Sequence, residues 1–411
     1  MNGRKMKMEE KGANVPKTDI SGKSPDFEAI RQDFPTIKKV RAYLDTAYVG
    51  LMPLSVRAAH EEFLEEMIQF APLPPDSTIL RVWLQKTEQV RAKLASFIGA
   101  KDKEIAFTYC TGCGANVALN GIDWQAGDNA VSDDLEYPTD IHILNALKKG
   151  GVDIRFARSE KGRVTLDTLE ALVDKRTRAL VVSHISSRNG FRHNLSQLAD
   201  LIHSYGGYLV VDGTQSIGAV EIDIKKEKVD VFTAAPYKWL IGPPGVGFFY
   251  IREDLIPLFT PDRLGWASPE SPDPSETMES GPLPEHARRY EYGTLNFEGM
   301  YALDAALDYL SRIGIGFIEQ RNLELIYMLR ERLCAKKVRF YTPEDNPAPI
   351  LAFFIDDEKT FGRKMREKNI FVSVNSWKEP HIRISPHFYN NEEDIEAFMN
   401  AFSSILKGWV V

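Results

Sequence analysis

Cysteine is scarce. Three cysteines in 411 residues cannot build a disulfide framework, which excludes the stapled scaffolds of small secreted domains and fits a reducing compartment. Long apolar runs are missing as well: none approaches the length of a bilayer span. The opening "MNGRKMKMEEKGANVPKTDISGKSP" has basic residues but no apolar centre for a signal peptide, so a cytoplasmic protein is expected. The eight histidines show no HExxH or comparable spacing, so no metal is expected. Charge of one sign is not concentrated: 51 basic and 58 acidic residues give −7 without long blocks. Neither a nucleic-acid footprint nor a membrane-surface patch follows from that balance, and the expected partner is a small soluble molecule. No internal repeat or low-complexity array is visible.

What is present is a large apolar fraction, 43% of the chain, enough for a core shared between two lobes. Residues 1–25 are polar and aperiodic and read as a flexible tail. From about residue 83 helix-compatible and strand-compatible stretches alternate. "EIAFTY", "GDNAVSDD", "VDIRFA", "RALVVSHI", "GGYLVVDG", "DVFTAA" and "GVGFFYI" are short apolar runs, and stretches such as "LSQLADLIHSYG" separate several of them. The rhythm predicts an α/β fold with a mostly parallel sheet flanked by helices. A segment rich in Pro, Ser and Glu, "DRLGWASPESPDPSETMESGPLPEHARR", reads as a long surface loop, and the helical "YALDAALDYLSRIG" and "FIEQRNLELIYMLRERLCAK" open a C-terminal lobe from about residue 300.

Ligands of open parallel sheets collect beyond the carboxyl ends of the strands. Asp212, ending "YLVVD", and Lys238, following "DVFTAAPY", stand at such ends. A carboxylate and an amine in one pocket fit pyridoxal 5′-phosphate. The amine forms a Schiff base, and the acid keeps the pyridine nitrogen protonated so that the ring accepts electrons. In "FTYCTGCGANVAL", Thr111, Gly112 and free amides at a helix start could hold the phosphate. Each feature has a plainer reading: Asp212 capping a turn, Lys238 reaching solvent, Thr111 as an N-cap. "GPPGVG" lacks the Lys-Ser/Thr ending of a P-loop, so a nucleotide site is disfavoured, as is a scaffold that has lost its cofactor, because Lys238 and Asp212 are both retained.

Taken in order, "VDGTQSIG", "PYKWLIGPPGVGFFY" and "RRYEYGTLNF" resemble the class V aminotransferase family of pyridoxal-phosphate enzymes, and the likeness runs from "YLDTAYVGLMP" to "HIRISPHFYNNEEDIEAF". The resemblance implies fold type I: a seven-stranded, mostly parallel sheet with a smaller α+β C-terminal domain. On it, residues 26–55 form an N-terminal segment joining the small domain, residues 56–299 a large cofactor-binding domain and residues 300–411 the small domain. It makes Lys238 the Schiff-base lysine and α-carbon base, Asp212 the pyridinium partner, Gln215 a partner of the ring oxygen and Tyr137 the stacking residue. Thr111, Gly112 and Tyr237 would contact phosphate, while Ala235 stands where desulfurases often carry a serine. Gly293 and Thr294 would reach the phosphate of a neighbouring subunit, implying a homodimer with shared sites. Arg383 would grip the substrate carboxylate, Ser187 would lie near the cofactor where desulfurases have asparagine, and Asn116 matches a recurrent family asparagine.

The implied substrate is a small amino acid, and amino transfer is the leading expectation. A C–S or C–Se β-lyase is next and an isopenicillin N epimerase-like reaction third. Persulfide-forming desulfurases need a cysteine on the loop before the carboxylate-binding arginine; this chain has "FVSVNSWKEP" there, and Cys334 lies in an apparent helix elsewhere. Tyr48, His184, Arg192, Asn375 and Trp377 are candidate discriminators, each with packing as the plain alternative. Arg192 could enter the pocket or pair outside it. Cys110 and Cys113 form a CxxC at a helix start, compatible with a redox pair or with simple packing of the phosphate turn.

Overall fold

A computed structural model of the chain describes residues 25–70, 78–270, 281–376 and 379–407. Residues 1–24 of the expected tail, part of the Pro/Ser/Glu-rich loop and Trp377 lie outside the described residues.

The seven apolar runs form one sheet. Its strands are β1 (Ile105–Thr108), β2 (Asn129–Asp133), β3 (Asp153–Ala157), β4 (Thr177–Ser183), β5 (Tyr208–Asp212), β6 (Val231–Ala234) and β7 (Gly247–Ile251). Their spatial order is β1-β7-β6-β5-β4-β2-β3. All neighbours are parallel except β7, which runs antiparallel to both β1 and β6. Because side chains alternate across a strand, each central strand feeds two cores. Leu209, Val211, Phe232, Ala234, Phe248 and Tyr250 face one, and Val210, Val231, Phe249 and Ile251 the other. Burial on both faces explains why these strands read as continuous apolar runs rather than alternating ones.

Helices cover both faces. Leu54–Phe70 (α1), Thr78–Phe97 (α2), Thr111–Gly121 (α3), Pro138–Leu147 (α4), Leu195–Ser204 (α5) and Phe297–Ile313 (α6) belong to the large lobe. α5 shows the logic: Asn194 caps it by accepting from Gln197 N at 3.2 Å, and Leu195, Leu198, Ala199 and Ile202 bury one face. Helix α1 was not singled out in the sequence. The boundary expected at residue 300 falls inside α6, whose Met300, Leu303, Ala306, Leu307 and Leu310 pack into the large lobe's core. The helix therefore belongs to that lobe.

The C-terminal lobe holds Ile315–Cys334 (α7), Glu358–Glu367 (α8), Glu392–Lys407 (α9) and the strands β8 (Leu351–Phe353), β9 (Ser373–Asn375) and β10 (His381–Ile384). These strands form an antiparallel sheet ordered β9-β10-β8. The N-terminal segment is tied to it. Ala42–Tyr43 pairs in parallel with Ile370–Phe371, and Arg31 holds Asp394 through bonds of 2.7 and 2.9 Å.

Candidate active site

Local backbone chemistry sets the lysine in place. After β6 the chain turns sharply: Ile241 N donates to Lys238 O at 3.1 Å and Gly242 N to Pro236 O at 3.0 Å. Ile241 takes φ 52°, a strained setting for a β-branched residue, of the kind that clusters at functional sites. The "YVGLMP" segment leans on the same turn. Gly50 N donates to Tyr237 O at 2.9 Å, and a Cβ at Gly50 would lie 1.9 Å from Lys238 O. Only glycine permits that approach.

Lys238 projects into a chamber of about 280 Å³ at the carboxyl ends of the parallel strands, lined also by Asp212, Gln215, Thr214, Thr111 and Gly112. Burial lowers its amine to about 8, assisted by the Arg383 guanidinium and opposed by the Asp212 and Asp45 carboxylates. The rings of Tyr137 and Tyr237 lie 5.7 and 5.6 Å from Nζ, facing the amine. Asp212 ends β5, with Oδ1 accepting from Thr214 N at 2.8 Å. Burial raises its carboxyl, against the hydrogen bonds from Thr214 and the Lys238 charge. Thr111 and Thr214 hydroxyls meet at 2.7 Å, at the start of α3. Cys110 N-caps this helix without a side-chain cap bond, and the helix start meets the chamber at Thr111 and Gly112, the setting in which backbone N–H groups favour an anion. Gln215 is fixed at both ends: it accepts from Trp239 Nε1 at 2.7 Å and donates to Ala47 O at 3.0 Å.

A larger chamber of about 670 Å³ shares Tyr137, Ser187, Gln215, Tyr237 and Lys238 with the first. Tyr48, Asn375 and Arg383 line it. Arg383, on β10, donates to Ser187 O at 2.7 Å and Ser373 Oγ at 2.8 Å, and its Nη2 lies 3.4 Å from Asp45 Oδ1. Among the described residues, buried Arg383 Nε and Asn375 Nδ2 have no hydrogen-bond partner. Two such donors on one chamber wall suit a carboxylate ligand.

Not every candidate converges. Arg192 lines neither chamber; its guanidinium pairs with Glu319 at 2.7 Å, so the pocket role expected for it is corrected to an ion pair outside. His184 is likewise absent from both walls, and burial keeps its imidazole well below the ordinary range. Asn116 donates to Gly112 O at 2.7 Å and steadies the turn instead of lining it. Gly293 and Thr294 do not line their own chain's chambers; Thr294 O accepts from Tyr109 Oη at 2.9 Å.

Conversely, the structure brings in acids that sequence reasoning passed over. Asp45 joins Arg383 and accepts from Ser373 Oγ at 2.6 Å; it was visible in "YLDTAYVG". Asp140 lies one helical turn after Tyr137 and enters the inner chamber's wall. Glu136 bonds Ser183 Oγ and Tyr137 N. Burial, together with the charge of neighbouring carboxylates, raises both Glu136 and Asp140 well above their ordinary values.

These residues fit pyridoxal phosphate: a buried neutral-prone amine, a carboxylate for the ring nitrogen, aromatic faces, an amide-rich helix start with two hydroxyls, and the unpartnered Oδ2 of Asp140 in the wall. The family model for aminotransferase class-V matches residues 42–398. A probable cysteine desulfurase of Methanothermobacter thermautotrophicus is 29% identical over 90% of this chain and 95% of its own. A cysteine desulfurase of Cronobacter sakazakii is 30% identical over 80% and 82%. The apo structure of a cysteine desulfurase from Thermococcus onnurineus superposes with a TM-score of 0.86 at 27% identity, covering 94% of this chain and 99% of that one. The chain therefore belongs to the class-V aminotransferase family, whose members are pyridoxal-phosphate enzymes of fold type I.

Proposed function

We propose that this protein is a carbon–sulfur β-lyase that takes a cysteine-class amino acid and releases its sulfur by direct elimination, without an enzyme-bound persulfide. The observation that carries this reading is the outer chamber's lining: Lys238 and Arg383 share it, and among the described residues no thiol lines its wall. The likeness to proteins named cysteine desulfurase supports the substrate class.

Bound pyridoxal phosphate supplies an electron sink for bonds at the substrate α-carbon. Lys238 would hold the cofactor and would take and return the α-proton of the substrate; an amine near 8 is suited to that role. Asp212 keeps a proton on the ring nitrogen. Arg383 and Asn375 hold the α-carboxylate, which orients the α-proton towards Lys238. The balance is L-cysteine and water to pyruvate, ammonia and hydrogen sulfide. Amino transfer is a second reading, and the same missing thiol favours it, because it needs no sulfur acceptor. The proposed working unit is a homodimer in which Gly293 and Thr294 of each subunit serve the other's site.

The test is product analysis of the holoenzyme with L-cysteine and with cystine. The elimination reading expects sulfide and pyruvate in matched amounts from L-cysteine, and pyruvate matched by cysteine persulfide from cystine. Alanine in place of pyruvate, or amination of an added keto acid with no sulfide, would contradict it, the latter in favour of amino transfer.

A further inference from the structure

Cys110 and Cys113 stand beside the inner chamber and are unused by the chemistry proposed above. Their sulfurs are 3.4 Å apart. Cys110 is exposed and lines the chamber with Thr111 and Gly112. The turn that carries them is clamped: a Cβ at Gly247 would lie 2.6 Å from Cys110 C, and one at Gly114 would lie 2.1 Å from Thr233 Oγ1. Thr233 Oγ1 also donates to Thr111 O at 3.1 Å. The sulfurs need to close by about 1.4 Å to reach a bond of about 2.05 Å.

The pair is also chemically unequal. The Cys113 thiol hydrogen-bonds the Cys110 sulfur, and the Gly112 and Cys113 N–H groups add to this against burial, lowering Cys110 to about 6. Its partner is raised by the same contact. The contact thus favours the thiolate form of Cys110, at the start of α3.

We propose that Cys110 and Cys113 form a reversible disulfide, and that oxidation strengthens the hold of the α3 N-terminus on the cofactor phosphate. The second half rests on the reading that this helix start binds that phosphate. In the reduced protein the thiolate, in the chamber wall beside Thr111 and Gly112, repels a phosphate held there. In the disulfide that charge is gone. The oxidant is a small-molecule disulfide. Cys110 sulfur attacks one of its sulfurs and expels one thiolate, which takes up a proton. Cys113 then loses its proton and attacks the Cys110 sulfur, releasing the second thiol. Two protein thiols are oxidised and one small disulfide is reduced to two thiols.

The test uses the full-length chain, freed of cofactor and held either in a phosphine reductant or in oxidised glutathione. Alkylation and peptide mass count the thiols, and titration with pyridoxal phosphate, followed by visible absorbance, gives affinity. The oxidised form is expected to carry a Cys110–Cys113 link and to bind roughly tenfold tighter or more, the scale of removing one nearby charge. Reduced Cys110→Ser should match the oxidised wild type and ignore the oxidant. Thiols that both stay alkylatable, or equal affinities in the two forms, would overturn the proposal. A chain that binds no pyridoxal phosphate in either form would overturn the cofactor reading and the coupling with it, while the thiol count still reports on the disulfide.

Discussion

Burial makes the Lys238 amine reactive near neutral pH, and the sign of the resulting pH dependence is fixed. The neutral amine is the nucleophile, so attachment of pyridoxal phosphate to the apo-protein should speed up about tenfold per pH unit below about 8 and level off above it. An ordinary exposed lysine would keep gaining rate well past that point; stopped-flow absorbance across pH separates the two. Lys238→Ala should lose turnover by about 10²–10⁴-fold or more in steady-state assays. Arg383→Lys keeps the charge but loses the two-pronged geometry, so KM should rise by about ten- to a hundredfold with a smaller change in kcat. Lys238 and Asp212 were marked in the sequence by strand-end position and by motif spacing, whereas Arg383, inside β10, was marked by the family resemblance alone. Asp140 and Glu136 were not marked, since a carboxyl in a helix start reads as a solvated charge until the fold shows it buried. Arg192 was left open between the pocket and an outer ion pair, because sequence does not say on which side of a turn a long side chain leaves; the structure has the ion pair with Glu319.

At the scale of elements, the sheet was readable because its strands are short apolar runs closed by Gly, Asp or Ser. The antiparallel direction of β7 has no such local sign; it follows from how the chain returns after the Lys238 turn. Helix α1 escaped notice for a related reason. It buries Val56, Ala59 and Phe63 but leaves Leu54, Leu64 and Ile68 exposed, which blurs its apolar face. One buried ion pair ties elements near the site together. Arg91 on α2 holds Glu291 at 2.7 Å and donates to Ile105 O at 2.8 Å, and Glu291 accepts from Phe107 N at 2.7 Å. This binds the segment carrying Gly293 and Thr294 to β1. Arg91→Met leaves the Glu291 carboxylate buried and unpaired, and should cost about 3–5 kcal/mol of stability, read as a shift of the denaturant midpoint.

For the whole molecule, the dimer proposal makes a physical demand on the surface. Leu64, Ile68, Leu80, Val82 and Leu84 on α1 and α2 are exposed, a concentration of apolar side chains that a second copy would cover. Sedimentation should find twice the 46.5 kDa chain mass, and Ile68→Asp should shift it towards the monomer with loss of activity. A wild-type monomer of full activity would contradict shared sites. The claim on which the rest depends is that Lys238 carries the cofactor, and the most direct test is borohydride reduction of the yellow protein followed by peptide mass mapping. The account predicts a reduced pyridoxyl label on Lys238 and none on Lys238→Ala. A label on another lysine, or a protein that stays colourless and unlabelled with added pyridoxal phosphate, would contradict it.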